Sequence, residues 1–167
     1  MNTIMQRRSI RKFLPTPVEK EKIISVLRAA MQAPSAANMQ PWEFLIVTDK
    51  ETRDKVAKVS PYGGFCSESP LVIIVLGSMK RARSENLYWV EDLSAATQNI
   101  LLQLEEEGLG GCWIGTWPTP ERIEGVREIF DLPEHIIPFS IIACGYKGQE
   151  RPFVDRFEQE RIHWEQF

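Results

Sequence analysis

Apolar residues follow a helical spacing in the first part of the chain and form strand-like runs further on. The stripe that predicts the first helix consists of Ile23, Leu27, Ala30 and Met31. Thr16 and Glu19 flank Pro17 with the spacing of a capping box, and Pro34 follows the stripe. We therefore expect a helix that is capped by Thr16, begins at Pro17 and ends before Pro34.

Four stretches rich in β-branched, aromatic and other apolar residues predict strands. They are residues 42–48, 71–76, 136–146 and 112–117, the last of which would form either a short strand or an extended turn. The second stretch is the longest uninterrupted apolar run, which is typical of a central strand covered on both faces. It is also far shorter than the ~20 apolar residues that a membrane-spanning helix needs, so we expect no membrane segment.

Three more helices are predicted between these strands. A short one follows Asp49, a long one covers residues 85–107, and a third begins after Thr119 and ends near residue 130. Gly108 suits the left-handed position that ends the long helix. Because helices and strands alternate, we expect a three-layer sandwich, but the pattern leaves the direction of the strands open.

The composition predicts one folded domain that spans residues 1–167. The chain is 43% apolar and 26% charged, and 20 Lys and Arg oppose 23 Asp and Glu for a net charge of −3. A chain of this length can bury a core without disulfides or a structural metal. Its slightly acidic balance gives no global positive field, so we expect no nucleic-acid partner.

The cysteines and histidines predict neither a disulfide framework nor a metal site. Cys66, Cys112 and Cys144 are odd in number and far apart in the sequence, with no C-x-x-C pair. His135 and His163 are the only histidines and belong to no cluster with metal-ligand spacing. Because the N-terminal residues also do not read as a secretory signal, we expect a reducing cytoplasm.

The first candidate for chemistry is a basic segment near the N-terminus. Arg7, Arg8, Arg11 and Lys12 lie within a few residues of one another, together with the hydroxyl of Ser9. The planar guanidinium group can hold a phosphate with two hydrogen bonds, so a phosphorylated small molecule is one interpretation. A solvated basic arm, or an arm that contacts nucleic acid or acidic lipid, is the alternative that these residues leave open.

The second candidate is the loop at residues 33–42, which Pro34 and Pro41 make stiff. Ser35, Asn38 and Gln40 present amide and hydroxyl groups that suit the polar edge of a flat heterocycle or a ribityl chain. The alternative is a rigid connector whose polar side chains satisfy its own backbone. Only the combination with the basic segment favours a binding function.

The third candidate is the glycine-rich segment at residues 108–117. Its glycines would let a ligand approach the backbone, and Trp113 or Ile114 could lie against a ring. The alternative is a helix C-cap followed by a core strand. The segment is not the glycine fingerprint of a dinucleotide-binding fold, and the chain has no phosphate-binding loop of the P-loop type.

Taken in order, the three segments resemble the FMN-dependent nitroreductase family. The matching patterns are R-R-S-x-R-x-F at residues 7–13, A-P-S-x-x-N-x-Q-P-W at 33–42 and G-L-G-x-x-W-I-G at 108–115. The resemblance implies an α+β fold with three α/β/α layers and a mixed, mostly antiparallel sheet. It also implies an intertwined homodimer with one FMN in each of two interface pockets, and a tail at residues 147–167 that packs on the partner subunit.

The resemblance also implies which residues contact the cofactor. Arg7, Arg8 and Ser9 would hold the phosphate side, and Arg11 would approach the ribityl chain or the pyrimidine edge. The residues that would line the same ring from the partner subunit are Pro34, Ser35, Ala36, Asn38 and Gln40.

Two further parts of the chain complete this implied site. Ile114 and Gly115 would lie near the isoalloxazine ring, with a backbone N–H directed at its N5 atom. A tail cation would complete the phosphate site, either Arg156 or, as alternatives, Lys147 or Arg151. No side chain is expected to act as a catalytic acid, base or nucleophile, because the flavin would carry the redox chemistry.

The implied activity is a ping-pong transfer of hydride from NADH or NADPH to FMN and then to an electron-poor acceptor such as a nitroaromatic or a quinone. Residues 62–65 are the expected lid, and acceptor selection is expected there and in residues 85–89. A protein that binds FMN, or another phosphorylated ligand, without turnover is the alternative.

Overall fold

The computed structural model describes residues 3–82 and 87–167. The described helices are α1 (Thr3–Gln6), α2 (Lys20–Ala30), α3 (Lys50–Ala57), α4 (Met79–Ala82), α5 (Trp89–Glu106) and α6 (Pro120–Phe130). The described strands are β1 (Trp42–Val47), β2 (Leu71–Ser78), β3 (Leu109–Gly115) and β4 (Ile136–Tyr146). These helices and strands alternate as predicted.

The four strands form one sheet in the order β1-β2-β4-β3, and every neighbouring pair is antiparallel. All eight residues of β2 are buried, which confirms the prediction of a central strand. A single isolated bridge, between Ser9 and Gly111, is parallel. The structure therefore supplies the strand direction that alternation of elements alone left open.

Two hydrophobic cores lie on opposite faces of the sheet because successive side chains of a strand point to opposite sides. Ile73 belongs to the core that includes Leu93 of α5 and the buried residues of α2. Its neighbour Ile74 belongs to the core that includes Val56 of α3 and Val126 of α6. This arrangement is the predicted α+β fold with three layers.

The start of α2 was predicted wrongly. The helix begins after Glu19 rather than at Pro17, and its N-cap makes no side-chain hydrogen bond. The carboxylate of Glu19 instead accepts the hydroxyl of Tyr146, at 2.8 and 2.9 Å. Because Leu14 also donates its N–H to the carbonyl oxygen of Tyr146, this pairing with the end of β4 replaces the predicted capping box at Thr16.

The long helix α5 ends as predicted, with Gly108 just beyond it in the left-handed region at φ +74°. Its predicted start near residue 85 falls outside the described residues. Strand β3 begins directly after Gly108, three residues earlier than expected, and ends at Gly115. Thr116 and Trp117 leave the ladder, because both donate their N–H groups to the carbonyl oxygen of Phe139. Among the residues described, no helix is both long enough and apolar enough to cross a membrane.

The segment that follows α1 runs along the outer edge of β3. The N–H of Ile10 donates to the carbonyl oxygen of Gly111 at 3.0 Å, and Gly148 donates to the carbonyl oxygen of Lys12 at 2.8 Å. The side chain of Ile10 is only 2% exposed. It fits because Gly110 has no side chain: an added Cβ would lie 2.6 Å from Cγ1 and 2.8 Å from Cβ of Ile10.

Replacing Gly110 with Ala should therefore push this segment away from the sheet. Because the clashing atoms belong to a buried, β-branched side chain, we expect the free energy of unfolding to fall by roughly 1–3 kcal/mol. Denaturant titration measures the change. The control is Gly64→Ala, where an added Cβ would have no atom within 4 Å; equal stability losses in the two variants would contradict the prediction.

Candidate functional site

Three residues of the basic segment act to lower the pKa of the Cys112 thiol in β3. Burial raises the pKa of the Cys112 thiol, whereas the charge of Arg11, a hydrogen bond from Ser9 and the charge of Arg7 act in the opposite direction. The two guanidinium groups and the hydroxyl therefore act on the same sulfur atom. Three of the four N-terminal residues that the resemblance assigns to the cofactor, Arg7, Ser9 and Arg11, therefore belong to a segment whose backbone pairs with Gly111 of β3.

Arg8, the fourth of these residues, is bound to backbone carbonyl groups. Its Nε donates to Pro152 at 2.9 Å, and its Nη1 donates to Met5 at 2.9 Å and to Arg7 at 2.6 Å. The guanidinium carbon also lies 5.4 Å from the centre of the Phe153 ring. Arg8 therefore ties the basic segment to the C-terminal tail, and these donors are already used.

Arg156 of the tail lines a cavity of about 350 Å³ together with Arg7 and Arg8. This places the predicted tail cation beside the basic segment within one chain. The alternative Lys147 is different, because its Nζ lies 2.5 Å from the carboxylate of Glu105 and is neutralised by it. The cavity is lined by three arginines and by one carboxylate, that of Asp155.

The expected lid at residues 62–65 contacts two arginines, one in the basic segment and one in α6. The guanidinium of Arg11 lies 6.0 Å from the centre of the Phe65 ring, and that of Arg122 lies 5.9 Å from the centre of the Tyr62 ring. Arg122 in turn donates from Nη1 to the carbonyl oxygen of Gly115 at 2.8 Å. The segment at residues 62–65 thus connects the basic segment to the end of β3.

The expected selection segment at residues 85–89 is only partly described. Residues 85 and 86 lie outside the described ranges. Leu87 and Tyr88 are exposed, whereas Trp89 is buried as the first residue of α5. The edge of the Trp89 ring meets Trp117, with 4.9 Å between the two ring centres.

At the end of β3, the side chain of Ile114 is buried, whereas the backbone groups of Gly115 face the outer edge of the sheet. The side chain of Ile114 is 6% exposed and packs in the core beside α3 and α6, so it does not provide the ring contact suggested above. Trp113 likewise packs against the other core, as a core strand requires. The carbonyl of Gly111 points away from β4 and accepts the N–H of Ile10. Because the backbone groups of every second residue point to the same side of a strand, the N–H and carbonyl of Gly115 also point away from β4.

The loop at residues 33–42 has an unusual backbone. Ala37, Asn38 and Gln40 have φ angles of 49°, 53° and 49°, a region that L-residues with a side chain rarely adopt. The N–H of Gln40 donates to Ser35 Oγ at 3.0 Å, and its side-chain amide donates to Asn38 Oδ1 at 2.9 Å. These bonds agree with the rigid-connector interpretation, while the side chains of Asn38 and Gln40 remain exposed.

Within one chain, this loop and the N-terminal residues contact opposite ends of α5. The loop contacts the start of α5, where Ala36 donates its N–H to Asp92 at 2.8 Å. The N-terminal residues contact the other end of α5, where Thr3 donates to Glu106 at 2.7 Å. At 1.5 Å per residue, the helix between these two acids is about 21 Å long. The loop with Pro34, Ser35, Ala36, Asn38 and Gln40 therefore contacts the opposite end of α5 from Thr3.

Sequence reasoning missed Arg122 and Asp92. Arg122 carried no signal, because its contact with Gly115 depends on how α6 folds back onto β3. Asp92 did carry one: it precedes Leu93 and lies four residues before Ala96, both of which are in the apolar core. A charged residue on the buried side of a predicted helix indicates a specific partner.

The three cysteines are free and buried. Burial and the neighbouring Cys112 raise the pKa of Cys66 to about 12, and burial raises that of Cys144 further still. In residues 3–82 and 87–167, no group of three or more His, Cys, Asp and Glu residues is placed to hold a metal ion. The thiols of the folded chain are therefore held protonated at neutral pH, which is the state of inert core cysteines.

We expect the native protein to show no fast-reacting thiol when it is mixed with a disulfide reagent such as Ellman's reagent at pH 8. The reagent needs an accessible thiolate, and burial disfavours that form at all three positions. In denaturant, all three thiols should react. A thiol that reacts within seconds in the native protein would contradict the prediction.

Comparison with known proteins gives consistent matches over the whole chain. The model of the Nitroreductase family matches residues 4–64 and 61–146. A relative from Methanothermobacter thermautotrophicus, provisionally named an NADH dehydrogenase/NAD(P)H nitroreductase, is 41% identical over 167 residues, which cover 100% of this chain and 87% of the relative.

Solved structures give the same result. A provisionally named NADH oxidase from Clostridium acetobutylicum has a TM-score of 0.96 at 42% identity, with 99% of this chain and 100% of the other covered. An FMN-dependent nitroreductase from Clostridium difficile R20291 has a TM-score of 0.92 at 31% identity, with 99% of both chains covered. The fold is therefore shared along the full length of these proteins.

Proposed function

Because the chain belongs to the nitroreductase family, we propose that it is an FMN-dependent oxidoreductase that takes electrons from NADH or NADPH. The acceptors are electron-poor compounds such as nitroaromatics or quinones. The observation that carries the proposal is the pairing of the basic segment with β3, where Ser9 forms a bridge with Gly111 and Ile10 donates its N–H to Gly111 at 3.0 Å, on the edge to which the backbone groups of Gly115 also face. These groups suit a ligand that has a phosphate at one end and a flat, hydrogen-bonding ring at the other.

The residues present fit FMN. Arg7 and Arg156 line the cavity that would hold the phosphate, where each guanidinium can donate two hydrogen bonds. Arg11 would lie at the pyrimidine edge and favour negative charge there. The N–H of Gly115 would reach the N5 edge. When bound, FMN supplies the capacity to accept a hydride and pass it on, and the protein supplies placement.

The site also requires a second copy of the chain. The loop at residues 33–42 would line the ring, yet it lies about 21 Å along α5 from the N-terminal residues of its own subunit. A homodimer would bring the loop of one subunit to the basic segment of the other. The end of the tail at residues 147–167 is suited to pack on the partner, because Phe157 and Trp164 are 68% and 80% exposed. The free thiols agree with a cytoplasmic setting.

Anaerobic flavin reduction tests the proposed function. The full chain, purified with FMN or loaded with it, should lose its absorbance near 450 nm when NADH or NADPH is added. Absorbance should return when a quinone or a nitroaromatic follows. Bound flavin that neither nucleotide reduces would favour the alternative of a binding protein without turnover, and a chain that takes up no FMN would refute both.

Arg7→Ala should weaken FMN binding by roughly 1.5–3 kcal/mol, because a charge-assisted hydrogen bond to the phosphate is lost. Arg7 is a sharper probe than Arg8, whose guanidinium donates to three carbonyl oxygens and whose loss would also disturb the tail. The matched control is Lys12→Ala, which removes an exposed charge of the same sign from the same segment.

Fluorescence titration of the flavin-free protein measures both variants. The riboflavin affinity of Arg7→Ala should change much less than its FMN affinity, since riboflavin has no phosphate. Equal losses for the two ligands would argue against a phosphate contact at Arg7.

A further inference from the structure

Asp92 is a buried acid in the first turn of α5. Asp92 is 4% exposed, and it is the one charged residue among the buried residues that the structure describes. Its neighbours Leu93 and Ala96 belong to the apolar core. Burying a carboxylate costs free energy unless its oxygens accept hydrogen bonds, so the presence of Asp92 in the core needs a physical reason.

The carboxylate has a single partner in the described chain. Oδ1 accepts the N–H of Ala36 at 2.8 Å, and Oδ2 is inaccessible to solvent without a hydrogen-bond partner among the described residues. Burial raises the pKa of Asp92, while the N–H of Ala36 lowers it. The helix N-terminus favours an acid at this point, but it does not account for the contact with the loop.

The partner belongs to a strained segment. Ala36 directly precedes Ala37 and Asn38, and these two residues and Gln40 have positive φ angles. Such conformations persist only where surrounding contacts determine them, and they cluster where ligands are held. Two side-chain contacts supply this constraint: Asp92 holds Ala36, and Ser35 Oγ accepts the N–H of Gln40 at 3.0 Å.

We propose that Asp92 is a positioning residue that fixes residues 35–40 in the conformation that receives the flavin ring. The inference rests on the proposed function, because it assigns this loop to the flavin. Asp92 acts through the N–H of Ala36 and touches neither the cofactor nor the substrate. Its buried acceptor therefore anchors an exposed loop to the rigid start of α5.

Two replacements of nearly the same shape separate positioning from packing. Asp92→Asn keeps an oxygen that can accept the N–H of Ala36, whereas Asp92→Leu has the same branching and no acceptor. Leucine avoids the cost of burying an acid, so it is compatible with a folded core. The matched control is Glu91→Gln, which removes an exposed charge from the same helical turn.

The first measurement is amide hydrogen exchange of the flavin-free full chain. In Asp92→Leu, exchange at residues 35–40 should become faster while β2 and β4 stay protected. Asp92→Asn and Glu91→Gln should resemble the unmodified protein. Unchanged exchange at the loop in Asp92→Leu overturns the tether, and this result does not depend on any flavin.

The second measurement is the dissociation constant for FMN. We expect it to rise about 10- to 100-fold in Asp92→Leu and to stay within about 3-fold in the other two variants. Faster loop exchange with unchanged FMN affinity in Asp92→Leu overturns the inference. A loss of FMN affinity in Asp92→Asn that equals the loss in Asp92→Leu also overturns it. If the unmodified protein binds no FMN, the proposed function fails instead, and the exchange data still report separately on the tether.

Discussion

The pairing of residues 9–14 with the edge of the sheet is the interaction on which the rest of the site depends. The N–H of Ile10 donates to Gly111, and the bare backbone of Gly110 leaves room for the Ile10 side chain. This apolar anchor lies between the cations on either side of it. Without it, Arg7 and Arg11 would belong to a solvated arm. With it, both act on the same position of β3.

Fixing several cations side by side has an electrostatic cost that the ion pairs of the described residues do not offset. In the described part of the protein, the ion pairs include Lys147 with Glu105, but none involves Arg7, Arg11 or Lys12. Like charges held near one another favour any ligand that brings a negative charge between them. The cofactor phosphate would meet this requirement, which gives the basic segment a physical reason to be ordered rather than merely charged.

The sequence predicted the elements whose causes are local. The continuous apolar runs gave β2 and β4, and Gly108 marked the end of α5. Where long-range contacts decide, prediction failed: the pairing of Glu19 with Tyr146 delays the start of α2. Strand direction depends on pairing between distant segments, which periodicity does not report.

The candidate site shows the same division between local and long-range causes. The three motifs were visible in the sequence, and the structure shows that the segment with Arg7, Ser9 and Arg11 pairs with Gly111 of β3, which residue types alone could not have established. The carbonyl contacts of Arg8 could not be predicted, because they depend on where distant backbone groups lie. The acid at Asp92 did leave a signal in the apolar pattern of α5, but its partner Ala36 did not.

The length of α5 links the fold to the assembly that the proposed function needs. Its first turn holds the loop through Asp92, and its last turn meets the N-terminal residues through Glu106. A rigid helix keeps these two contacts about 21 Å apart along its axis within one subunit. A twofold assembly solves this problem, since the loop of each subunit can meet the basic segment of the other. The same helix that separates the two halves of the site within a chain would then place them correctly across the dimer.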